Sequence, residues 1–234
     1  MKRVRKILRF LWRWLWRGAV AFILFTFLWT LLYRWVNPPT TFLQVREWWN
    51  CPDDQHFAKT WVDYEDISFH LKLGAVASED QNFMKHSGID FGAIEKAVEY
   101  NKTHEKTRGA STISQQVAKN VFLWPGRSWL RKGFEVYFTV LIELLWSKER
   151  ILEVYLNVAE TGKCTFGVEA AAQKYFRKSA ASLSKEQAAL IIASLPSPRK
   201  SNPAKPSAYL TKRKEHVLRQ MRLLGSTYFE RYSD

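Results

Sequence analysis

The sequence predicts a mainly α-helical domain preceded by one membrane-crossing helix, and three observations predict it. An uncharged apolar run, Gly18 to Tyr33, follows a basic amino terminus. Beyond the Asn37-Pro38-Pro39 break, apolar residues recur at three- and four-residue spacing, and clean period-two runs are scarce. Helix-start patterns stand ahead of several of these stretches: Asp90 before Ile94 and Val98, and Ser184 with Gln187 before a run of Ala, Leu and Ile. At 234 residues, with 47% hydrophobic and 25% charged side chains, the chain has length for one well-buried domain and an appendage, and its composition is not that of a disordered segment.

The anchor comes first. At 1.5 Å per residue, Gly18–Tyr33 spans about 24 Å, a little short of the ~30 Å hydrocarbon core. Arg17 and Arg34 can lay their stems along lipid, and Trp14, Trp16 and Trp35 suit the interfaces. Seven basic residues precede the run and only Arg34 closes it, so the positive-inside rule predicts a cytoplasmic basic tail over 1–17, a signal anchor over 18–36 and an exported domain over 37–234. The residues after the run, Arg34-Trp35-Val36-Asn37-Pro38, offer no small-x-small cleavage pattern. The alternative is a basic amphipathic helix lying on the surface, since Arg9, Arg13 and Arg17 recur at i+4.

Within the exported part, Ile113, Val117 and Val121 predict one buried stripe. Phe134, Phe138, Leu141 and Leu145 predict another, on a long helix from Ser128 to Trp146. Turn signals fall at Ser87-Gly88, Trp124-Pro125-Gly126 and Thr161-Gly162-Lys163, and a basic final helix is predicted over Leu210–Leu224. The net charge of +14 is concentrated: eight of the 36 basic residues and none of the 22 acidic ones lie in 1–36. The remaining excess suits a phosphate-bearing ligand or anionic headgroups and is too thin for a nucleic-acid-binding face. Cys51 and Cys164 form no CxxC and have no His at ligand spacing, which argues against zinc; they either pair in an oxidising compartment or stand as two thiols.

Glu79 and Asp80 end a small-residue helical run just ahead of Phe83, His86 and Gly88. Adjacent carboxylates cannot share one helix face, so one can point into a cleft as a general base while the other bonds locally. Gly109, Ser111 and Thr112 open the next helix as an anion-receptive terminus, and Gln116, Lys119 and Asn120 share a face away from the Ile113 stripe. Arg131 and Glu135 lie at i,i+4 with Lys132 beside them, either as a simple ion pair or as the edge of a cleft. Phe122, Leu123 and Trp124 either dip into a bilayer or pack in the core.

Four stretches in this order resemble the glycosyltransferase domain shared by monofunctional peptidoglycan transglycosylases and class A penicillin-binding proteins. They are Glu79-Asp80 with Phe83, His86 and Gly88; Gly109-Ala-Ser-Thr with Gln115-Gln116; Arg131-Lys132 with Glu135; and Lys148-Glu-Arg-Ile-Leu-Glu153-Val-Tyr155-Leu-Asn157. The resemblance covers roughly 65 to 225. It implies a lysozyme-like α fold with a membrane-associated subdomain, and polymerisation of lipid II into β-1,4-linked glycan with release of polyprenyl pyrophosphate.

It also implies roles. Glu79 is then the general base and Glu135 the second catalytic carboxylate, which orients cations or holds a divalent ion (Mg or Mn) at the pyrophosphate; no cofactor is otherwise required. Asp80, Phe83, His86, Ser111, Thr112, Gln116, Lys119, Asn120, Arg127, Arg131 and Lys132 are expected to bind substrate, and Glu153 and Asn157 to brace the site. Expected partners are lipid II, the growing strand, the inner membrane and cell-wall synthesis or division proteins, with no nucleic acid. The rivals are a non-catalytic lipid II-binding scaffold and a lysozyme-like glycan hydrolase. Ser197-Pro-Arg-Lys200 matches S-x-x-K without S-D-N or K-T-G partners, so no transpeptidase activity is expected.

Overall fold

A computed structural model describes residues 2–105, 109–126 and 128–232, in two compact units, Met1–Asn37 and Pro38–Asp234. The first is one helix, α1 (Lys2–Leu32), of 31 residues. It runs through both the expected basic tail and the expected anchor, because Arg, Lys, Leu and Trp all tolerate helix and Gly18 alone costs only about 1 kcal/mol. Its Arg5–Leu32 stretch is long and apolar enough to cross a membrane. Arg17 lies over the Trp14 ring and Arg34 over Trp35, at 5.6 and 5.2 Å.

The second unit is helical, as expected. In chain order it contains α2 (Phe42–Trp49), α3 (Phe69–Glu79), α4 (Phe91–Thr103), α5 (Ile113–Phe122), α6 (Trp129–Leu145), α7 (Lys148–Val158), α8 (Val168–Phe176), α9 (Lys185–Ser194) and α10 (Ala208–Leu224). Side chains start most of them: Ser68, Asp90, Thr112, Ser128, Ser147, Ser184 and Ser207 each accept a first-turn backbone N–H. Thr41, Thr112 and Ser184 head full capping boxes.

Helix α3 lies against α9 and α10, and α5 against α6 and α7. Small residues allow the first contact: a Cβ on Gly74 would stand 3.3 Å from Ile192 Cγ1. Ile113, Val117 and Val121 are buried as predicted. The α6 stripe differs, because its buried residues are Glu135, Phe138, Thr139 and Ile142, while Phe134, Leu141 and Leu145 are half-buried. Glu135 and Thr139 can face inward because both find partners there; Thr139 Oγ1 donates to the Glu135 carbonyl. The apolar excess of α6 therefore turns outward, with Leu130 67%, Val140 53% and Leu144 72% exposed. Phe122 and Leu123 are core residues, Phe122 stacking on Phe138 at 4.5 Å, and only Trp124 of that trio is exposed.

A small sheet was not anticipated. It has the order β1-β3-β2, built from β1 (Ala58–Lys59), β2 (Glu160–Gly162) and β3 (Thr165–Phe166). Strand β1 runs parallel to β3, while β2 and β3 form a tight hairpin across Lys163 and Cys164. Strands of two or three residues leave too little period-two signal to detect. Cys164 is disulfide-bonded to Cys51 with Cα atoms 5.8 Å apart, which decides the pairing the sequence left open.

Candidate active site

Helix α3 delivers Glu79 and Asp80 at its carboxyl end, and their side chains diverge as adjacent positions require. Asp80 is 7% exposed and bonds locally: its Oδ2 accepts the backbone N–H of Ile113 at 3.0 Å, and its Oδ1 lies 2.9 Å from His86 Nε2. His86 Nδ1 accepts from the Gly88 N–H, so Nε2 carries the proton that faces Asp80. The amino terminus of α5, expected to receive a substrate anion, is thus already occupied by a protein carboxylate. Thr112, 3% exposed, spends its hydroxyl on the Gly88 carbonyl and on its own capping box. Phe83 is fully buried, edge-on to His86 and under the Lys148 ammonium at 4.6 Å. Asp80 and Thr112 thus line the Glu79 cleft with their polar groups already engaged by the protein, while Phe83 and His86 stand behind it.

Lys148 strengthens that frame. Its ammonium bonds both oxygens of Glu143 at 2.8 Å and the His86 carbonyl at 2.6 Å, and Ser114 donates to Glu143. Gly88 closes the group. With φ +90° and a hypothetical Cβ only 2.6 Å from Thr139 Cγ2 and 2.9 Å from Glu143 Cγ, no side chain fits. Gly88→Ala should lower unfolding free energy by about 2–3 kcal/mol, from left-handed backbone strain and overpacking together, as read by denaturant melts in detergent.

Glu79 points the other way. A cleft of about 220 Å³ is lined by Glu79, Ser78, Asn82, Lys96, Gly109 and Ser111, among others. Gln116 donates to Glu79 Oε2 at 3.2 Å and Ser78 to Oε1 at 3.1 Å, which fixes the carboxylate without supplying a counter-charge. Asp90 also lines the cleft; bonds from Asn82 and then the Ala93 N–H hold its carboxyl below the usual range. The phenol of buried Tyr155 is pushed well above its ordinary value by burial first and then by Glu79 and Asp80, so it stays protonated.

A second cleft, of about 230 Å³, brings Lys119, Asn120 and Arg131 together with Arg46, Leu43 and Trp124. Glu135, 4% exposed, accepts from Arg131 Nη1 at 3.4 Å and from Lys132. Arg131 Nε is buried without a partner, an orphan donor of the kind a ligand oxygen satisfies. Burial lowers the Lys119 pKa; Glu135 opposes that shift, and Arg131 and Lys132 add to it. The expected Arg127 lies outside the described residues. Arg46 is not among the expected residues: it reaches the cleft from α2, where the Thr41-x-x-Gln44 capping box signals a helix start and not a site. Glu153 and Asn157 brace as expected: Glu153 accepts from Trp61 Nε1, and the Asn157 amide exchanges two 2.8 Å bonds with the Val62 backbone.

Glu79 and Glu135 differ from a glycosidase pair. Such a pair needs two free carboxyl groups across a sugar. Here Glu135 has both oxygens engaged by cations. Among the described residues no three His, Cys, Asp or Glu side chains gather into a metal cluster, and both oxygens of Glu135 are engaged by Arg131 and Lys132.

Comparison with known proteins identifies the family. The family described as transglycosylase matches residues 48–222. The biosynthetic peptidoglycan transglycosylase of Pseudomonas entomophila (strain L48) is 50% identical over 215 residues, covering 91% of this chain and 88% of that protein. The protein of the same description from Bacteroides thetaiotaomicron is 57% identical over 172 residues, 74% of this chain and 69% of its own. That of Pseudomonas fluorescens is 47% identical over 232 residues, 97% of each. The family match over residues 48–222, with relatives about half identical over most of both chains, places the chain in the transglycosylase family.

Proposed function

We propose that the chain polymerises lipid II into peptidoglycan glycan strands by inverting glycosyl transfer, held to the cytoplasmic membrane by α1 with the 38–234 unit outside. The observation that carries this reading is the division of labour between Glu79, a carboxylate held only by neutral donors, and a separate group of cations, Lys119, Arg131 and Arg46, whose cleft has no carboxylate among its described lining residues. Glu79 takes the proton of the acceptor sugar hydroxyl as its oxygen attacks the anomeric carbon of the growing strand. The bond to pyrophosphate breaks, and the cations stabilise the negative charge that accumulates there. Glu135 orients Arg131 and Lys132; no step is routed through a metal. Gln116 positions Glu79, and Ser111 and Asn120 supply neutral donors.

The disulfide supports an oxidising compartment, and the seven basic residues ahead of the apolar run support a cytoplasmic amino terminus. The exposed apolar side chains of α6 and Trp124 suit contact with the lipid on which the substrate is carried. Labelled lipid II and a size separation of products test the reading directly: a polymer ladder is expected, and its absence from folded protein overturns it.

Lys119 makes a pH prediction. A lysine whose pKa is lowered by burial is cationic below that value and loses its charge, as pH rises, before an ordinary lysine does. Polymerisation should therefore fall on the alkaline side, and Lys119→Arg, which cannot deprotonate there, should carry the alkaline limb to higher pH. A limb that does not move would remove Lys119 from the rate-determining charge.

A further inference from the structure

A recess of about 1000 Å³ on the 38–234 unit shares no lining residue with either cleft described above. Its walls come from four separate segments: Asp54–Thr60, Lys163 at the β2–β3 turn, one face of α8 from Ala170 to Tyr175, and residues 198–202. The Cys51–Cys164 bond ties the first two together. Cations dominate the lining, with Lys59, Lys163, Lys174, Arg199 and Lys200 against the carboxylate of Asp54.

These cations are unequally occupied. Arg199 is committed to Glu160 at 2.6 Å and to Glu47 at 2.9 Å. Among the described residues, no carboxylate pairs with Lys59, Lys163, Lys174 or Lys200. Lys59 donates to the Pro39 carbonyl at 2.5 Å, and Lys174 to Thr165 Oγ1 at 2.7 Å and the Lys163 carbonyl at 3.0 Å. Burial lowers both their pKa values. Partly desolvated ammonium groups without counter-ions are costly, and an anion in the recess relieves that cost.

The recess also adjoins the chemistry through α2. Glu47, which holds Arg199 at the recess, follows Arg46, which lines the Lys119–Arg131 cleft. Helix α2 therefore contributes to both sites.

We propose that the recess is a product-side subsite that binds free carboxylates on the peptide arms of the growing glycan strand. This rests on the polymerase reading. Lysines on separate walls offer point charges to carboxylates spaced along a peptide, whereas a compact phosphate is best gripped by an unoccupied guanidinium fork, and Arg199 is already taken. The volume accommodates a sugar with its peptide.

The test uses full-length protein in detergent and a soluble disaccharide-tetrapeptide as probe, beside the same compound with its carboxylates amidated, and inorganic phosphate as competitor. Amidation, or Lys163→Glu combined with Lys200→Glu, should weaken binding at least about tenfold. Lys212→Glu with Arg222→Glu, the same charge change on exposed α10 positions, should leave it within about twofold. Polymer formation from lipid II should persist in both double variants. Equal binding of the amidated probe, no measurable binding by the wild type, no effect of the recess variant, or competition by phosphate as strong as by the peptide would each overturn the proposal. Charge-insensitive binding alongside a normal polymer ladder removes the subsite alone, whereas a wild type that makes no polymer removes the polymerase reading and the subsite with it.

Discussion

Glu79→Gln should abolish the polymer ladder from labelled lipid II, with a rate loss on the order of 10²–10⁴-fold or more, while the protein remains folded. The substitution keeps the side chain's size and removes its ability to take a proton. Its neighbours tolerate the change: Gln116 and Ser78 are neutral, and an amide can still exchange bonds with both. The buried frame is untouched, since Asp80, His86, Glu143 and Lys148 hold one another and not Glu79. Loss of rate with an unchanged melting curve is therefore the signature of a missing base. A ladder from both proteins would leave glycosyl transfer standing and remove Glu79 as its essential base. A folded wild type without a ladder, under conditions where another polymerase works, would turn the assignment to a lipid II-binding scaffold.

Breaking the disulfide should have the largest effect on stability. Cys51 and Cys164 are 113 residues apart, and in the chain-entropy description a closed loop of that size restrains the unfolded state by about 4–5 kcal/mol. The bond joins the segment leading to β1 to the turn between β2 and β3, so its loss also frees two walls of the basic recess. Paired Cys51→Ala and Cys164→Ala substitutions, or a reductant, should lower the melting midpoint by about 10 °C in a domain of this size. An unchanged midpoint, or two titratable thiols in protein purified from the oxidising side, would refute the link. The Glu79 cleft is built from the end of α3, α4 and the segment leading into α5, and should keep its geometry below the new midpoint.

Much of the fold was legible because its signals are local. Capping at Asp90 and Ser184, the Ile113–Val117–Val121 stripe and the basic final helix depend on residues within a few positions of one another. The α6 stripe misled because periodicity assumes that polar residues face water. Glu135 and Thr139 face inward, where partners satisfy them, and the apolar remainder of α6 is exposed.

The sequence by itself determined the helical class, a helix able to cross a membrane, the family, and the candidates for base and cations. All of these rest on residue type, spacing and the order of short motifs. Only the tertiary structure decided which candidates face the cleft. Phe83 and His86 sit within the same motifs as Glu79 and Gln116, yet neither lines the cleft, while Asp80 and Thr112 line it with their polar groups spent on His86 and on buried backbone. It also decided the cysteine pairing, brought Arg46 to Lys119 and Arg131, and assembled the basic recess from four distant segments. The reason is common to all of these: a buried polar group must be satisfied, and its partner can lie anywhere along the chain.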